Sequence, residues 1–219
     1  MDIVKLQIQK KRKELLFLFS KVYSGGLRGI DGYVVQVEAD VSDGLPGFYM
    51  VGSLASEVRE AEERVRTAMR NAGFHLSARK ITVNLSPANV RKEGTACDLP
   101  VAIAVLAAYG IVMPSGLKQT GFLGELGLDG KIKPVRGVLS MVLAMAEKGL
   151  ERCFLPEENV EEGVAADCME IVKIRNLQEV VEFLNEPDRI CFERASDLSG
   201  IQAAYGVDFC EVNGQKLMR

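Results

Sequence analysis

Apolar and polar residues alternate from Tyr33 to Val41 (YVVQVEADV), the period-two pattern of a half-buried strand. A Ser42-Asp43-Gly44 turn signal and Leu45-Pro46-Gly47 separate it from a second apolar run, Phe48 to Val51. Val58, Ala61, Val65, Ala68, Met69 and Ala72 then recur at helical spacing and predict one amphipathic helix. Ser53 or Ser56 can cap its start, and Gly73 stands where a left-handed terminal residue is wanted. Lys80 to Leu85 reads as a strand. A turn-rich stretch, Ser86 to Gly94, leads to a helix from about Leu99 to Tyr109, apolar all round and therefore buried on most sides, with Asp98 as its expected N-cap.

Farther along, Asp129-Gly130 between Phe122–Leu128 and Lys131–Val135 signals a hairpin. A helix from Val138 to Lys148 ends at Gly149, and a strand at Arg152 to Leu155 is stopped by Pro156. A short helix over 158–166, a strand over 170–174 and a helix over 176–184, capped by Asn176, continue a β-α-β-α rhythm. Past Pro187 the pattern weakens, which places a domain boundary there. Strands interspersed with helices and hairpins predict a mixed-sheet α/β or α+β domain.

Composition adds exclusions. The 219 residues carry 27 Lys+Arg against 30 Asp+Glu, a net charge of −3, so no global electrostatic case exists for nucleic acid or an anionic membrane. The five cysteines are scattered and never spaced C-x-x-C, which suits buried thiols in a reducing compartment. No apolar run approaches the ~18 residues of a membrane-spanning helix. Residues 1–19, with Lys10 to Lys13 before Leu15 to Phe19, read as a short amphipathic leader rather than a signal peptide, and the expected location is cytoplasmic.

Candidate chemistry is sparse. The closest approach to a phosphate-binding loop, Gly124 to Lys131 (GELGLDGK), has five residues between its outer glycines and Ile132 where Ser or Thr is required. Glu125, Asp129, Cys97 and Asp98 lack metal-ligand spacing, and the single histidine, His75, follows a helix end, so no metal site is expected. Cys97, before an expected helix, is the one thiol with an argument for reactivity.

Two segments carry a resemblance. Lys92-Glu93-Gly94-Thr95-Ala96 resembles the segment of the Lon proteolytic domain that supplies a nucleophilic serine, with Ala96 at the serine position. Leu126 to Leu139 resembles the segment that supplies its lysine base, with Leu139 at the lysine position. Neither a methyl nor an isobutyl group can attack a carbonyl or take a proton, so the peptidase pair is lost and no catalytic residue is expected.

A longer resemblance runs from about Ser20 to Pro187 through GLRGIDGYVVQVEADVSDGLPGFYMVG, ERVRTAMRNAGF, ITVNLSPANVRKEGTACDLPVAIAVLAAYG and FLGELGLDGKIKPVRGVL. It is similar to the N-terminal domain of the ComM/YifB family of magnesium-chelatase-like AAA+ ATPases. Tyr205 to Gln215 resembles the opening of that family's ATPase module, so residues 188–219 are expected to be a linker and the start of a truncated motor. Ser53-Leu54-Ala55 departs from the family's Leu-Pro-rich segment at that place.

The resemblance implies an α+β fold with a mixed sheet and flanking helices, of the Lon proteolytic-domain-like (ribosomal protein S5 domain 2-like) type, over residues 20–187. It implies a non-catalytic accessory domain of a ring-forming, hexameric ATPase acting in competence and DNA branch migration. ATP and Mg²⁺ are expected for the parent and no cofactor for this chain; self-association and DNA are the expected partners, and a membrane is not. By analogy with RadA-type recombination ATPases, Arg59, Arg66, Arg70, Arg91 and Lys92 are candidate phosphate contacts. Two other readings remain: an oligomerisation or protein-partner module without DNA contact, and a residual hydrolase using Cys97 or Ser86.

Overall fold

The computed structural model describes residues 18–193. Strands β1 (Phe19–Arg28) and β2 (Asp31–Ser42) form a long antiparallel hairpin at the centre of the molecule. On one side β2 pairs antiparallel with β4 (Lys80–Ser86), which pairs parallel with the edge strand β3 (Gly47–Val51). On the other side β1 pairs parallel with β5 (Thr120–Phe122), followed by parallel β8 (Arg152–Pro156) and β9 (Glu170–Ile174) and antiparallel β10 (Phe192–Glu193). The mixed eight-stranded order is β10-β9-β8-β5-β1-β2-β4-β3, and β6 (Glu125–Leu126) and β7 (Ile132–Lys133) form a separate small hairpin.

Successive strand residues point to opposite faces, and the core divides accordingly. Val22, Phe154 and Val172 join one hydrophobic cluster with Leu99, Val65 and Leu177. Cys153, Leu155 and Ile171 join the other with Met141, Val142 and Val160. Helices α2 (Ala61–Asn71), α3 (Asp98–Ala108) and α6 (Leu177–Asn185) thus cover one face, and α4 (Val138–Glu147) and α5 (Val160–Val164) the other. Every residue of α3 is buried, as its all-round apolar sequence predicts. The expected α+β architecture of a mixed sheet with flanking helices is what forms.

Several boundaries differ from expectation. The amphipathic stretch after Val51 is two helices, α1 (Ser56–Arg59) and α2, which meet at Glu60, and neither Ser53 nor Ser56 caps the first through its side chain. Strand β1 has no alternating signature because Ser20 and Ser24 occupy buried positions and Gly25 and Gly26 follow. Phe122 belongs to the main sheet rather than to the hairpin around Asp129-Gly130. Past the boundary expected at Pro187, β10 still pairs with β9, so the fold extends to Glu193. Phe19, assigned to the leader, is the first residue of β1. The remaining expectations for the leader and for the start of a motor module fall on residues 1–17 and 194–219, outside the described residues.

Candidate functional site

The segment joining β4 to α3 holds the peptidase-like motif, and backbone bonds tie it down at both ends. Lys92 N–H donates to Ser53 O (2.8 Å) and Ala55 N–H to Lys92 O (3.0 Å). Beyond it, Gly124 N–H donates to Ala96 O (3.2 Å) and Leu99 N–H to Gly124 O (3.0 Å), which clamps the start of α3 to the end of β5.

Asp98 does not cap α3. Its carboxylate is 1% exposed and accepts two bonds from Arg64, Nε at 2.7 Å and Nη2 at 3.0 Å, and one from Leu126 N–H at 3.3 Å. Arg64 Nη2 also donates to Glu57 O at 2.9 Å. Burial pushes the Asp98 carboxyl up and the Arg64 guanidinium pulls it back down. Arg64 escaped detection in the sequence because its i, i+4 spacing to Glu60 marks it as an ordinary helix-surface pair; that contact exists, at a loose 3.9 Å.

Ala96 lines a cavity of about 420 Å³ together with Gly26, Glu93, Glu125 and Arg136. Leu139 is 38% exposed near the start of α4, where its N–H donates to Glu162 Oε1 at 3.0 Å. Lys92, four residues before Ala96, is 1% exposed and donates from Nζ to Val90 O at 2.9 Å and to Pro87 O. Burial lowers its pKa, and its protons are committed to backbone carbonyls. Ala96, at the serine position of the Lon resemblance, thus lines a cleft whose lining residues include neither serine nor lysine.

The hydrolase alternatives are corrected. Cys97 is buried, and burial pushes its thiol up to about 12, so at neutral pH it is not a thiolate despite preceding a helix. Ser86 Oγ accepts a bond from Asn84 Nδ2 at 3.2 Å, and an amide is no general base. The glycine amides of GELGLDGK are all spent on backbone carbonyls: Gly124 N–H on Ala96 O (3.2 Å), and within the β6–β7 turn Gly127 N–H on Lys131 O (2.8 Å) and Gly130 N–H on Gly127 O (2.9 Å). These amides are therefore not free to cradle a phosphate. Among the described residues no three His, Cys, Asp or Glu side chains are grouped to hold a metal.

The five candidate phosphate contacts separate. Lys92 leaves the set, because a buried ammonium bonded to two carbonyls cannot reach a polyanion. Arg91 is exposed and lies 3.7 Å from Glu93. Arg59 is exposed at the end of α1. Arg66 and Arg70 come together in a second, larger groove of about 680 Å³ between α2, β3 and the loop over residues 74–79. That groove also collects His75, weighed in the sequence only as a metal ligand, and Arg79, Tyr49 and Phe74, which did not stand out there.

Comparison with known proteins agrees with this architecture. The family described as subunit ChlI of Mg-chelatase matches residues 37–159, more than half of the chain, and the chain belongs to that magnesium-chelatase-like family. Within it, the chain is 37% identical over 201 residues to competence protein ComM of Haemophilus influenzae, covering 89% of this chain and 39% of ComM. It is 34% identical over 197 residues to YifB of Escherichia coli, covering 90% of this chain and 38% of YifB. These matches place it in the ComM/YifB group, and the chain spans about two-fifths of the length of these relatives. A Lon protease of Mycolicibacterium smegmatis is 26% identical over 167 residues, 71% of this chain and 21% of that protein. No helix among the described residues is long and apolar enough to cross a membrane.

Proposed function

We propose that this chain is a non-catalytic, Lon-like accessory domain that assists ring assembly and DNA engagement in a cytoplasmic, magnesium-chelatase-like ATPase of the ComM type. One observation supports the reading: the two segments that resemble the Lon proteolytic domain are tied together by the clamp between Ala96 and Gly124, and Ala96 and Leu139 stand where that resemblance has its serine and lysine. A domain that retains a cleft and loses its nucleophile is suited to positioning rather than to bond breaking. ATP and Mg²⁺ would be handled by the parent's motor, and DNA branch migration during transformation would be its work.

The test is a titration of the chain against single-stranded, duplex and forked DNA at several salt concentrations. Binding that weakens steeply with salt is expected, because phosphate contacts release counterions. No binding at low salt would remove DNA engagement from this domain. A second reading, self-association without DNA contact, is favoured by Leu139 and Leu143, which sit one turn apart on α4 at 38% and 42% exposure. Concentration-dependent sedimentation that Leu143→Glu abolishes would support it.

A further inference from the structure

We propose that the groove between α2, the edge strand β3 and the 74–79 loop binds single-stranded nucleic acid, with phosphates on Arg66, Arg70 and Arg79 and a base stacked on Tyr49. This deepens the DNA reading given above and rests on it.

Three features point to a single strand. The first is charge. Arg70 is exposed and makes no ion pair among the described residues. Arg66 and Arg79 have only loose partners, Glu63 at 3.7 Å and Asp43 at 3.7 Å, and those carboxylates are 77% and 94% exposed. Such contacts are weak and give way readily to a phosphate. Glu62 and Glu63 also line the groove, so the site is moderately rather than strongly cationic.

The second feature is an aromatic platform. Tyr49 is 49% exposed on the edge strand, and its ring lies so close over Gly47 that a β-carbon there would come within 2.8 Å of it. The Lys80 ammonium stands over one face of the ring, 5.7 Å from its centroid, so a base stacks there only as that flexible side chain swings aside toward solvent. His75 is exposed and Phe74 half-buried along the same groove. Basic side chains interleaved with exposed rings suit splayed bases; the paired bases of a duplex cannot reach such a platform.

The third feature is rigidity. Tyr109 hydroxyl donates to Ser77 O at 2.7 Å and Phe74 N–H to Met69 O at 2.9 Å, which pins the loop that carries His75 and Arg79. An acidic peptide added to the β3 edge would use the same charges, but it would have no use for the ring.

Fluorescence anisotropy of the full chain separates these cases with four probes: oligo-dT, an abasic oligonucleotide of equal length, a duplex of the same length, and polyglutamate as competitor. Tyr49→Ala is expected to weaken oligo-dT binding roughly tenfold and to leave the abasic strand unchanged, as loss of one stacked base predicts. Arg70→Ala, on an exposed helix face, is expected to weaken both strands and to lower the salt slope by about 0.7. Oligo-dT binding untouched by Tyr49→Ala and Arg70→Ala overturns the groove while leaving DNA engagement elsewhere on the domain. Equal competition by polyglutamate, or a preference for duplex, overturns the single-strand assignment in favour of a general anion surface. Failure of every DNA probe at low salt overturns both this inference and the reading beneath it.

Discussion

Arg64 on α2 reaches across to Asp98 at the start of α3, and through the Asp98 carboxylate to Leu126 of the β6–β7 hairpin. One ion pair thus joins three elements around the peptidase-like cleft. The two partners are unequal: the Arg64 side chain is 21% exposed and that of Asp98 only 1%. Removing the arginine leaves an uncompensated buried carboxylate, whereas removing the carboxylate leaves a guanidinium that can turn toward water. Arg64→Ala is therefore expected to cost about 3–5 kcal/mol at pH 7, and Asp98→Ala less. In Arg64→Ala the folded carboxyl pKa lies above its unfolded value, so the deficit shrinks as pH falls and the acid is neutralised. Urea denaturation of wild type and variant at pH 7 and 4.5 checks both statements.

Lys92 and Arg91 are neighbours in sequence with opposite roles. Lys92→Met removes the bonds to Val90 O and Pro87 O, leaving Pro87 O with only the Val90 N–H at 3.3 Å, and should destabilise the fold by roughly 1–3 kcal/mol. Arg91→Ala removes only an exposed contact to Glu93 and should change stability by no more than about 0.5 kcal/mol. Thermal melts of the two single variants decide it; equal losses would contradict the buried assignment.

The cysteines should divide by accessibility. Cys97 and Cys153 are buried and burial raises both thiols, while Cys168 and Cys191 are exposed. Under native conditions at pH 8, iodoacetamide followed by peptide mapping should label the exposed pair and leave the buried pair unmodified. Cys97 also has a pH consequence. Its folded pKa of about 12 is raised above the ordinary value of 9.0, so its contribution is complete below pH 9 and is lost as pH rises toward 12, because only the unfolded chain ionises in that interval. Cys97→Ala should flatten part of the alkaline fall in the melting temperature.

Gly32 and Gly29, three residues apart at the β1–β2 turn, should respond differently to alanine. A β-carbon at Gly32 would lie 2.0 Å from Ser140 O, so Gly32→Ala must push the hairpin away from α4 and should cost several kcal/mol, by the overpacking range of about 1–3 or more. Gly29 has open space around it and a φ of +67°, so Gly29→Ala should cost only the left-handed backbone penalty, about 1 kcal/mol. Chemical denaturation midpoints compare them directly.

The proposed lack of peptidase chemistry can be tested by restoration. Ala96→Ser alone should leave fluorogenic peptide hydrolysis at the buffer rate, since Lys92 donates to carbonyls and cannot serve as base. Activity from that single change would mean that another base reaches the cleft.

How far the chain could be read varied from element to element, for physical reasons. Strand β2 and helix α3 were legible because each reports its own environment: Val35, Val37, Ala39 and Val41 face one core at period two, and α3 is apolar on every side. Left-handed Gly73 and Gly149, at φ +87° and +84°, and the Asn176 cap, which accepts from Glu179 N–H at 2.9 Å, were legible because those constraints are local. Strand β1 was not, since its buried positions include Ser20 and Ser24 and its glycines answer to Met141 and Tyr33 from elsewhere in the chain. That Ala96 and Leu139 occupy the serine and lysine positions of the Lon resemblance was a matter of residue identity and needed no coordinates.

Partnership at a distance was decided only by folding. Asp98 had the look of a cap and Arg64 that of a surface helix residue, because their separation of 34 residues conceals that they meet. Lys92 had the charge of a DNA contact, yet its chain path turns the ammonium inward onto two carbonyls. Arg66, Arg70, Arg79 and Tyr49 are spread over three segments and become one groove only when β3 pairs with β4 beneath α2. Periodicity, turn chemistry and missing nucleophiles are properties of neighbouring residues and survive in one dimension. Ion pairs, desolvation and grooves depend on which distant segments share space, and that is settled by the burial of the whole core.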